Sequence, residues 1–350
     1  DLILTTGGLG PTQDDLTKEV IAKAMDDVIV ENPQCREALR GYYERVGRPM
    51  TPNNLKQACM PSRAVVLPND AGTAPGFALE KDGKMIIAMP GPPREMSRMF
   101  ELQVKPLLQK KQDSVIYYRI VRCFGIGESK LETVLLPLID AQTDPTIATY
   151  AKEGECSLRI ASKRSTKAEA KAAVDEMLQK VEAIVGEYIY SCDDEDLTDV
   201  VGRLLLKKKI TISCAESCTG GLFAGALTDI PGISAVFAQG YVTYSNAVKE
   251  AELGVKAETI AQYGVVSPEV AGEMAAGLAA KTDADLCVSV TGIAGPDGGT
   301  AEKPVGLAYI GIAYQGKILT FKSYYRNVSR KWNRHYTLLR MLFEVYRLIK

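Results

Sequence analysis

The chain carries one histidine, His335, in 350 residues. It stands among Arg334, Tyr336 and apolar residues of a helical pattern, with no carboxylate motif beside it. A Ser-His-Asp triad and a histidine-based zinc site each need that residue in a defined role, so neither is expected. His335 reads as a helix-surface or packing residue. Any hydrolytic serine must then use another base, and Lys and Tyr are the candidates. Net charge is nearly absent too, at −1, which leaves nucleic acid without an electrostatic footprint beyond a local patch. No run of apolar residues reaches the length a membrane helix needs, so no membrane partner is expected. The eight cysteines (Cys35, Cys59, Cys123, Cys156, Cys192, Cys214, Cys218, Cys287) are scattered, without a Cys-x-x-Cys pair or a Cys/His cluster. They read as reduced thiols of a cytoplasmic protein.

What is present is ordinary for a soluble globular chain of two or three domains, with 46% hydrophobic and 24% charged residues. The chain starts in mid-unit: Asp1 to Thr6 reads as a buried strand with no preceding Met, turned by Gly7-Gly8-Leu9-Gly10-Pro11 into an amphipathic helix. The expectation is a fragment that lacks an upstream β-α-β portion. From there to about Gln112, short apolar runs alternate with helical stretches, which argues for a mostly parallel α/β sheet. The turns Asn69 to Gly76, with Gly72 and Thr73, and Met89 to Met96, with Gly91, stand at strand ends. Such turns expose backbone N–H groups at the next helix and suit a phosphate. Asp14 and Asp15 add carboxylates that can hold a divalent cation against a pyrophosphate. Equally, acidic residues in a first helical turn stabilise it against the helix dipole.

A small α+β unit follows. Val115 to Phe124 is expected as a strand, Glu128 to Ile139 as a helix, Thr146 to Tyr150 and Ser157 to Ser162 as strands, and Lys167 to Val185 as a long helix. Gly125-Ile126-Gly127-Glu128 reads as a turn rather than as a phosphate loop, since a lone glycine pair before a helix is a weak signal. The run Asp193 to Asp196 marks a boundary and precedes a helix ending in Lys207-Lys208-Lys209, with both signs matched to the helix dipole. The expected divisions are 1–113, 114–192 and 193–350.

The last division carries the most chemistry. Ile210 to Ser213 is a short strand that runs into Ala215-Glu216-Ser217-Cys218-Thr219-Gly220-Gly221, where a sheet enzyme would hold a reactive hydroxyl. A second turn, Thr291 to Gly299, follows the apolar run Leu286 to Val290, so two strand ends can meet at one site. A serine is a poor nucleophile until a base takes its proton, and Lys249 is the candidate base. Backbone N–H groups of Cys218, Thr219, Gly220 and Gly221 can hold an oxyanion. Singly, each residue has a plain structural alternative: Ser217 as a helix N-cap, Lys249 as a surface charge, Thr291 as a strand end. Arg330 to Ile349 reads as a closing amphipathic helix.

Ala215 to Gly221, Tyr244-Ser245-Asn246 and Thr291-Gly-Ile-Ala-Gly-Pro-Asp-Gly-Gly299 resemble the C-terminal domain of the CinA family, the nicotinamide-nucleotide amidohydrolases. Thr5 to Asp15 and Met89 to Met96 resemble the molybdopterin-binding-like domain that accompanies it, and the middle segment is similar to that family's KH-like module. The fold the resemblance implies is α/β: an incomplete molybdopterin-binding-like parallel-sheet domain, a KH-like α+β domain and an α/β deamidase domain. The activity it implies is hydrolysis of nicotinamide mononucleotide to nicotinate mononucleotide and ammonia, a step of NAD salvage that needs no cofactor or metal. Carried over by motif, Ser217 is the nucleophile, Lys249 the base, and Tyr244 and Thr291 their partners. Cys218, Thr219, Gly220, Gly221, Asn246, Gly292, Gly295, Gly298 and Gly299 would contact substrate, and Arg330 and Arg334 its phosphate. In the first domain the resemblance implies a metal-dependent ADP-ribose pyrophosphatase, with Gly7, Gly8, Gly10, Asn69, Gly72, Thr73 and Gly91 toward the nucleotide and Asp14 and Asp15 toward the cation. Members of the family begin earlier than this chain, which puts that second activity in question. A non-catalytic nucleotide-binding or competence-related scaffold is the third reading. Sheet-edge strands and the habit of the family make a homodimer the expected assembly.

Overall fold

In the computed structural model, residues 1–111, 113–325 and 329–350 are described. The chain divides into two compact units, Asp1–Asp113 and Ser114–Lys350.

The first unit runs β1 (Leu2–Thr6), α1 (Thr17–Ala24), β2 (Ile29–Glu31), α2 (Pro33–Val46), β3 (Cys59–Pro61), β4 (Val65–Leu67), β5 (Gly76–Lys81), β6 (Lys84–Met89), α3 (Pro93–Met99) and α4 (Lys105–Gln109). Local signals set α2 at both ends: the Asn32 side chain accepts from Cys35 N, Pro33 takes the first position, and Gly47 closes the helix at φ 64°. The main sheet has the order β1-β6-β5-β4, and it corrects the expectation of a mostly parallel sheet. Only β1 and β6 are parallel; β5 pairs antiparallel with both β6 and β4. The reason lies in Asp82-Gly83, both at positive φ. Such a pair closes a two-residue hairpin and is far too short for a parallel crossover. Strand β1, expected as buried, lies at the sheet edge with Leu2, Ile3 and Leu4 exposed. Among the described residues it has a neighbour on one side only.

The second unit opens with β7 (Val115–Phe124), α5 (Glu128–Asp140), β8 (Thr146–Lys152), β9 (Glu155–Arg164), α6 (Lys167–Val185) and β10 (Ile189–Ser191). The strands form an antiparallel sheet, β10-β7-β9-β8. Leu131 and Leu135 of α5 and Val174, Val181 and Val185 of α6 bury their faces against Val121, Leu158 and Ile160. Thr166 and Glu169 cap α6 reciprocally. The aspartates of the run Asp193 to Asp196 are exposed, as a solvated helix start requires, but they also serve as ion-pair partners. Asp193 pairs with Arg119, and Asp194 and Asp196 pair with Arg122; the Asp196 side chain makes no cap bond to the helix that follows. Arg119 and Arg122 are a strand away in space and 74 residues away in sequence, so helix-dipole reasoning could not find them.

The chain continues through α7 (Leu197–Lys208), β11 (Ile212–Glu216), α8 (Leu222–Thr228), β12 (Phe237–Val242), α9 (Asn246–Leu253), α10 (Ala257–Tyr263), α11 (Pro268–Lys281), β13 (Leu286–Gly292), β14 (Leu307–Tyr314), β15 (Lys317–Tyr324) and α12 (Arg330–Ile349). The five-stranded sheet has the order β12-β11-β13-β14-β15, with β11 parallel to both neighbours. Alternation along the strands serves two cores. Cys214, Val288, Ile310 and Ile312 join α7, α8 and α12 on one side. Ala215, Cys287 and Ala313 join Val270, Met274 and Leu278 of α11 on the other. His335 is exposed on α12, its ring 5.5 Å from that of Trp332.

Candidate active site

The parallel pairing of β11 and β13 sets Glu216 opposite Val290, so the turns that follow both strands leave from the same edge of the sheet. That edge is where open α/β sheets bind ligands. A cavity of about 170 Å³ opens there, lined by Ser217, Cys218, Tyr244, Asn246, Lys249, Val265, Val266, Thr291, Gly292, Ala294 and Arg330.

Ser217 is the first residue after β11 and is buried. It does not cap α8: Gly221, at φ 94°, holds the N-cap position with no side-chain bond. Lys249 reaches it from α9, a helix started by Ser245, whose side chain accepts from Val248 N. The Lys249 side chain is 1% exposed. Its Nζ lies 3.0 Å from Ser217 Oγ, 2.8 Å from Thr243 O and 3.3 Å from Tyr244 O. Burial pushes the Lys249 pKa below the usual lysine value. Nζ donates in all three contacts, to the serine hydroxyl and the two carbonyls, which matches the three donors of an ammonium; on losing a proton the amine can keep the carbonyls and accept from Ser217 instead. Among the described residues no carboxylate pairs with Lys249 to keep it charged.

Beside Ser217, the Cys218 thiol is pushed up to about 12 by burial, which keeps it protonated and a weak nucleophile near neutral pH. Tyr244 is exposed, and its hydroxyl accepts from Arg330, 2.8 Å away. Arg330 also donates to Gly295 O at 2.7 Å. Thr291 is buried, and its hydroxyl donates to Val265 O at 2.8 Å, tying β13 to the loop before α11.

Of the expected residues, Ser217, Cys218, Tyr244, Asn246, Lys249, Thr291, Gly292 and Arg330 line one cavity. Thr219, Gly220, Gly221, Gly295, Gly298 and Gly299 do not line it. Gly220 and Gly221 adopt φ 59° and 94°, values that suit glycine, and so shape the turn. Gly298 and Gly299 are exposed in the second turn. Arg334 stands behind the Ser217 turn, donating to the carbonyls of Cys218 and Thr219. Val265 and Val266 were not foreseen, since they are apolar loop residues outside any motif; Ala294 stands within the second turn's motif but had no assigned role. Glu216 was visible within a motif but had no assigned role; it is fully buried and accepts from three backbone amides.

In the first unit a cavity of about 270 Å³ is lined by Gly7, Gly8, Gly10, Asp15, Gln57, Thr73, Gly91 and Glu95, among others. Asn69, Gly72 and Thr73 line a larger one, about 760 Å³, beside α2. Asp14 is exposed and lines neither. Asp15 folds back on its own turn, accepting from the Thr12 backbone and hydroxyl, and the Thr12 hydroxyl is the main reason its carboxyl titrates below the usual range. Lys56 donates to Thr12 O and Asp15 O and holds the same loop. Among the described residues no group of three or more His, Cys, Asp or Glu side chains could hold a metal ion.

Family profiles match along the chain: a probable molybdopterin binding domain over residues 1–110, the KH domain of damage-inducible protein CinA over 118–191, and the CinA C-terminal domain over 194–349. A competence-damage inducible protein of Clostridium beijerinckii is 47% identical, covering 95% of this chain and 81% of the relative. One of Halothermothrix orenii is 46% identical, covering 100% of this chain and 84% of its own length. The competence/damage inducible protein CihA of Agrobacterium tumefaciens has a solved structure, 40% identical, that covers 45% of this chain and 98% of that one with a TM-score of 0.43. A CinA superfamily structure from Klebsiella pneumoniae is 29% identical over 44% of this chain and 95% of its own, with a TM-score of 0.42.

Proposed function

The chain belongs to the CinA family, and from its site we propose that it hydrolyses the carboxamide of nicotinamide mononucleotide, giving nicotinate mononucleotide and ammonia. The observation that carries this reading is the buried Lys249 amine 3.0 Å from Ser217 Oγ. Ser217 Oγ attacks the carboxamide carbon while its proton passes to Lys249 Nζ. Lys249 then gives that proton to the departing nitrogen, the C–N bond breaks, and ammonia leaves an acyl ester on Ser217. Water, deprotonated by the same amine, attacks the ester, releases the carboxylate and restores the serine hydroxyl. The cycle balances with water as the only co-reactant and needs no cofactor. Tyr244 and Arg330, at the exposed rim of the cavity, are the groups that would meet the ribose phosphate. Eight free cysteines suit a cytoplasmic setting, and no helix among the described residues is long and apolar enough to cross a membrane. The decisive experiment is ammonia release from nicotinamide mononucleotide by the wild type and by Ser217→Ala. Loss in the variant with its fold intact supports the reading, and equal turnover overturns it.

The glycine-lined cavity of the first unit favours a second reading, a metal-dependent nucleotide pyrophosphatase. Asp15 and Glu95 are its two carboxylates. A hard divalent cation held there would need phosphate oxygens and water to complete its shell, which is how magnesium is commonly bound. Cleavage of ADP-ribose that requires the cation and is lost in Asp15→Ala would support this reading; cleavage that survives both chelation and the substitution would remove it.

A further inference from the structure

The turn that presents Ser217 is held on its amide side and its carbonyl side by two charged residues. Glu216, the last residue of β11, accepts from the N–H groups of Gly221 at 3.0 Å and Phe223 at 3.1 Å through Oε2, and of Ala224 at 2.9 Å through Oε1. These are first-turn donors of α8 that no N-cap side chain satisfies. A buried carboxylate makes each bond charge-assisted and opposes the positive end of the helix. Arg334 comes from α12. Its Nε donates to Cys218 O at 3.1 Å and a terminal nitrogen to Thr219 O at 2.6 Å. Within the turn, Gly220 N donates to Ser217 O at 3.0 Å.

The consequence follows from peptide planarity. When the Cys218 carbonyl is fixed on Arg334, the Thr219 N–H of the same trans peptide must point the opposite way. The Ser217 carbonyl, fixed by Gly220 N, sets the direction of the Cys218 N–H by the same rule. Among the described residues neither N–H group bonds to another backbone carbonyl; the Cys218 N–H faces only the thiol of its own residue. A turn whose Ser217, Cys218 and Thr219 carbonyls are all tied, and whose Cys218 amide beside the nucleophile has no partner in another residue, has the donor pattern of an oxyanion hole; the Thr219 hydroxyl is buried without a partner.

We infer that Glu216 and Arg334 are positioning residues for the reaction at Ser217, clamping the turn so that the amide of Cys218, which lines the cavity, is pre-aimed at the oxyanion. The inference rests on the reading of Ser217 as nucleophile. It also gives Arg334 a role other than phosphate binding, since one bidentate edge of its guanidinium already holds the two carbonyls.

The test compares wild type, Arg334→Ala, Arg334→Lys and Glu216→Gln on nicotinamide mononucleotide, with kcat and KM measured separately. A clamp predicts a fall in kcat of about 10²-fold in Arg334→Ala, the usual effect of losing an oxyanion donor, at unchanged KM. Methylguanidinium should restore part of it, and Arg334→Lys, whose ammonium cannot span two carbonyls in the same plane, should recover little. Glu216→Gln keeps the shape and one acceptor oxygen and should lower kcat in the same way. A rise in KM with kcat intact would make Arg334 a phosphate ligand and overturn the clamp, as would unchanged kcat in both Arg334→Ala and Glu216→Gln. Amide hydrogen exchange in residues 217–221 gives a reading independent of turnover: it should accelerate in both variants, and unchanged exchange sinks the inference. A wild type that releases no ammonia brings down the amidohydrolase reading instead, while the exchange result still decides whether the two residues hold the turn.

Discussion

Lys249 Nζ and Ser217 Oγ lie 3.0 Å apart, one on α9 and the other at the end of β11. In the proposed hydrolysis this pair would take the place of a serine-histidine couple, with an amine whose basicity burial lowers.

The first prediction concerns pH. Burial lowers the Lys249 pKa, so the amine gains its proton at a lower pH than an exposed lysine does. Turnover should be fully present above that depressed pKa and fall as pH drops through it, as the lone pair is lost. Stability follows the same sign. Between the folded and unfolded pKa values the unfolded chain binds the extra proton, so stability rises with pH across that window and the native state carries the burial cost below it. A kcat/KM profile with one limb descending toward acid is the expected result. Lys249→Arg, which stays charged, should lose about 10²- to 10⁴-fold, the range for removing a general base.

Cys218 should be dispensable for the chemistry. Its thiol is pushed up to about 12, so thiolate-directed alkylating reagents should leave the enzyme active at neutral pH, and Cys218→Ala should keep most of kcat. Stoichiometric inactivation by iodoacetamide with modification mapped to Cys218 would contradict this.

Gly277 on α11 supports the base from behind. A methyl group placed there would stand 1.7 Å from Leu253 O, at the end of α9. Backbone cannot yield as a side-chain tip can, so Gly277→Ala should push α9 and Lys249 with it. The expected loss is about 1–3 kcal/mol of stability, the range for overpacking. Turnover should fall as well, measured by thermal unfolding and by ammonia release below the transition.

Arg122 joins β7 to the acidic segment before α7, and only 11% of its side chain is exposed. Arg122→Ala leaves Asp194 and Asp196 without this partner, though Lys152 still reaches Asp196. Both carboxylates stay more than half exposed, and ion pairs to exposed carboxylates contribute about 0–1 kcal/mol, so global stability should change little. The local effect is the better readout: limited proteolysis should cut within residues 193–196 faster than in wild type.

Much of the second unit was legible because its signals are local. The strand Val115–Phe124, the helix Lys167–Val185 and the closing helix Arg330–Ile349 stand where periodicity and capping residues put them. The Gln315-Gly316 turn, both at positive φ, closes the hairpin of β14 and β15. The first unit was read as parallel because alternating apolar runs say nothing of strand direction; the two-residue Asp82-Gly83 turn does, and it was the neglected signal. The partners of the acidic run and the two cavities depend on contacts across many residues, which no window of sequence contains.

Residue order alone determined most of the elements, the turns at the ends of β11 and β13, and the presence of a single histidine, because propensity, period and residue count are properties of the chain itself. Residue chemistry offered Ser217 and Lys249 as a candidate pair, and motif likeness added Tyr244 and Thr291 as their partners. Only the tertiary structure decided that the amine is buried against the hydroxyl, that Arg334 faces the carbonyls of the turn, and that Glu216 caps α8 from the residue before the nucleophile. Desolvation and hydrogen-bond direction arise from what surrounds a group, and that environment exists only after distant segments have packed.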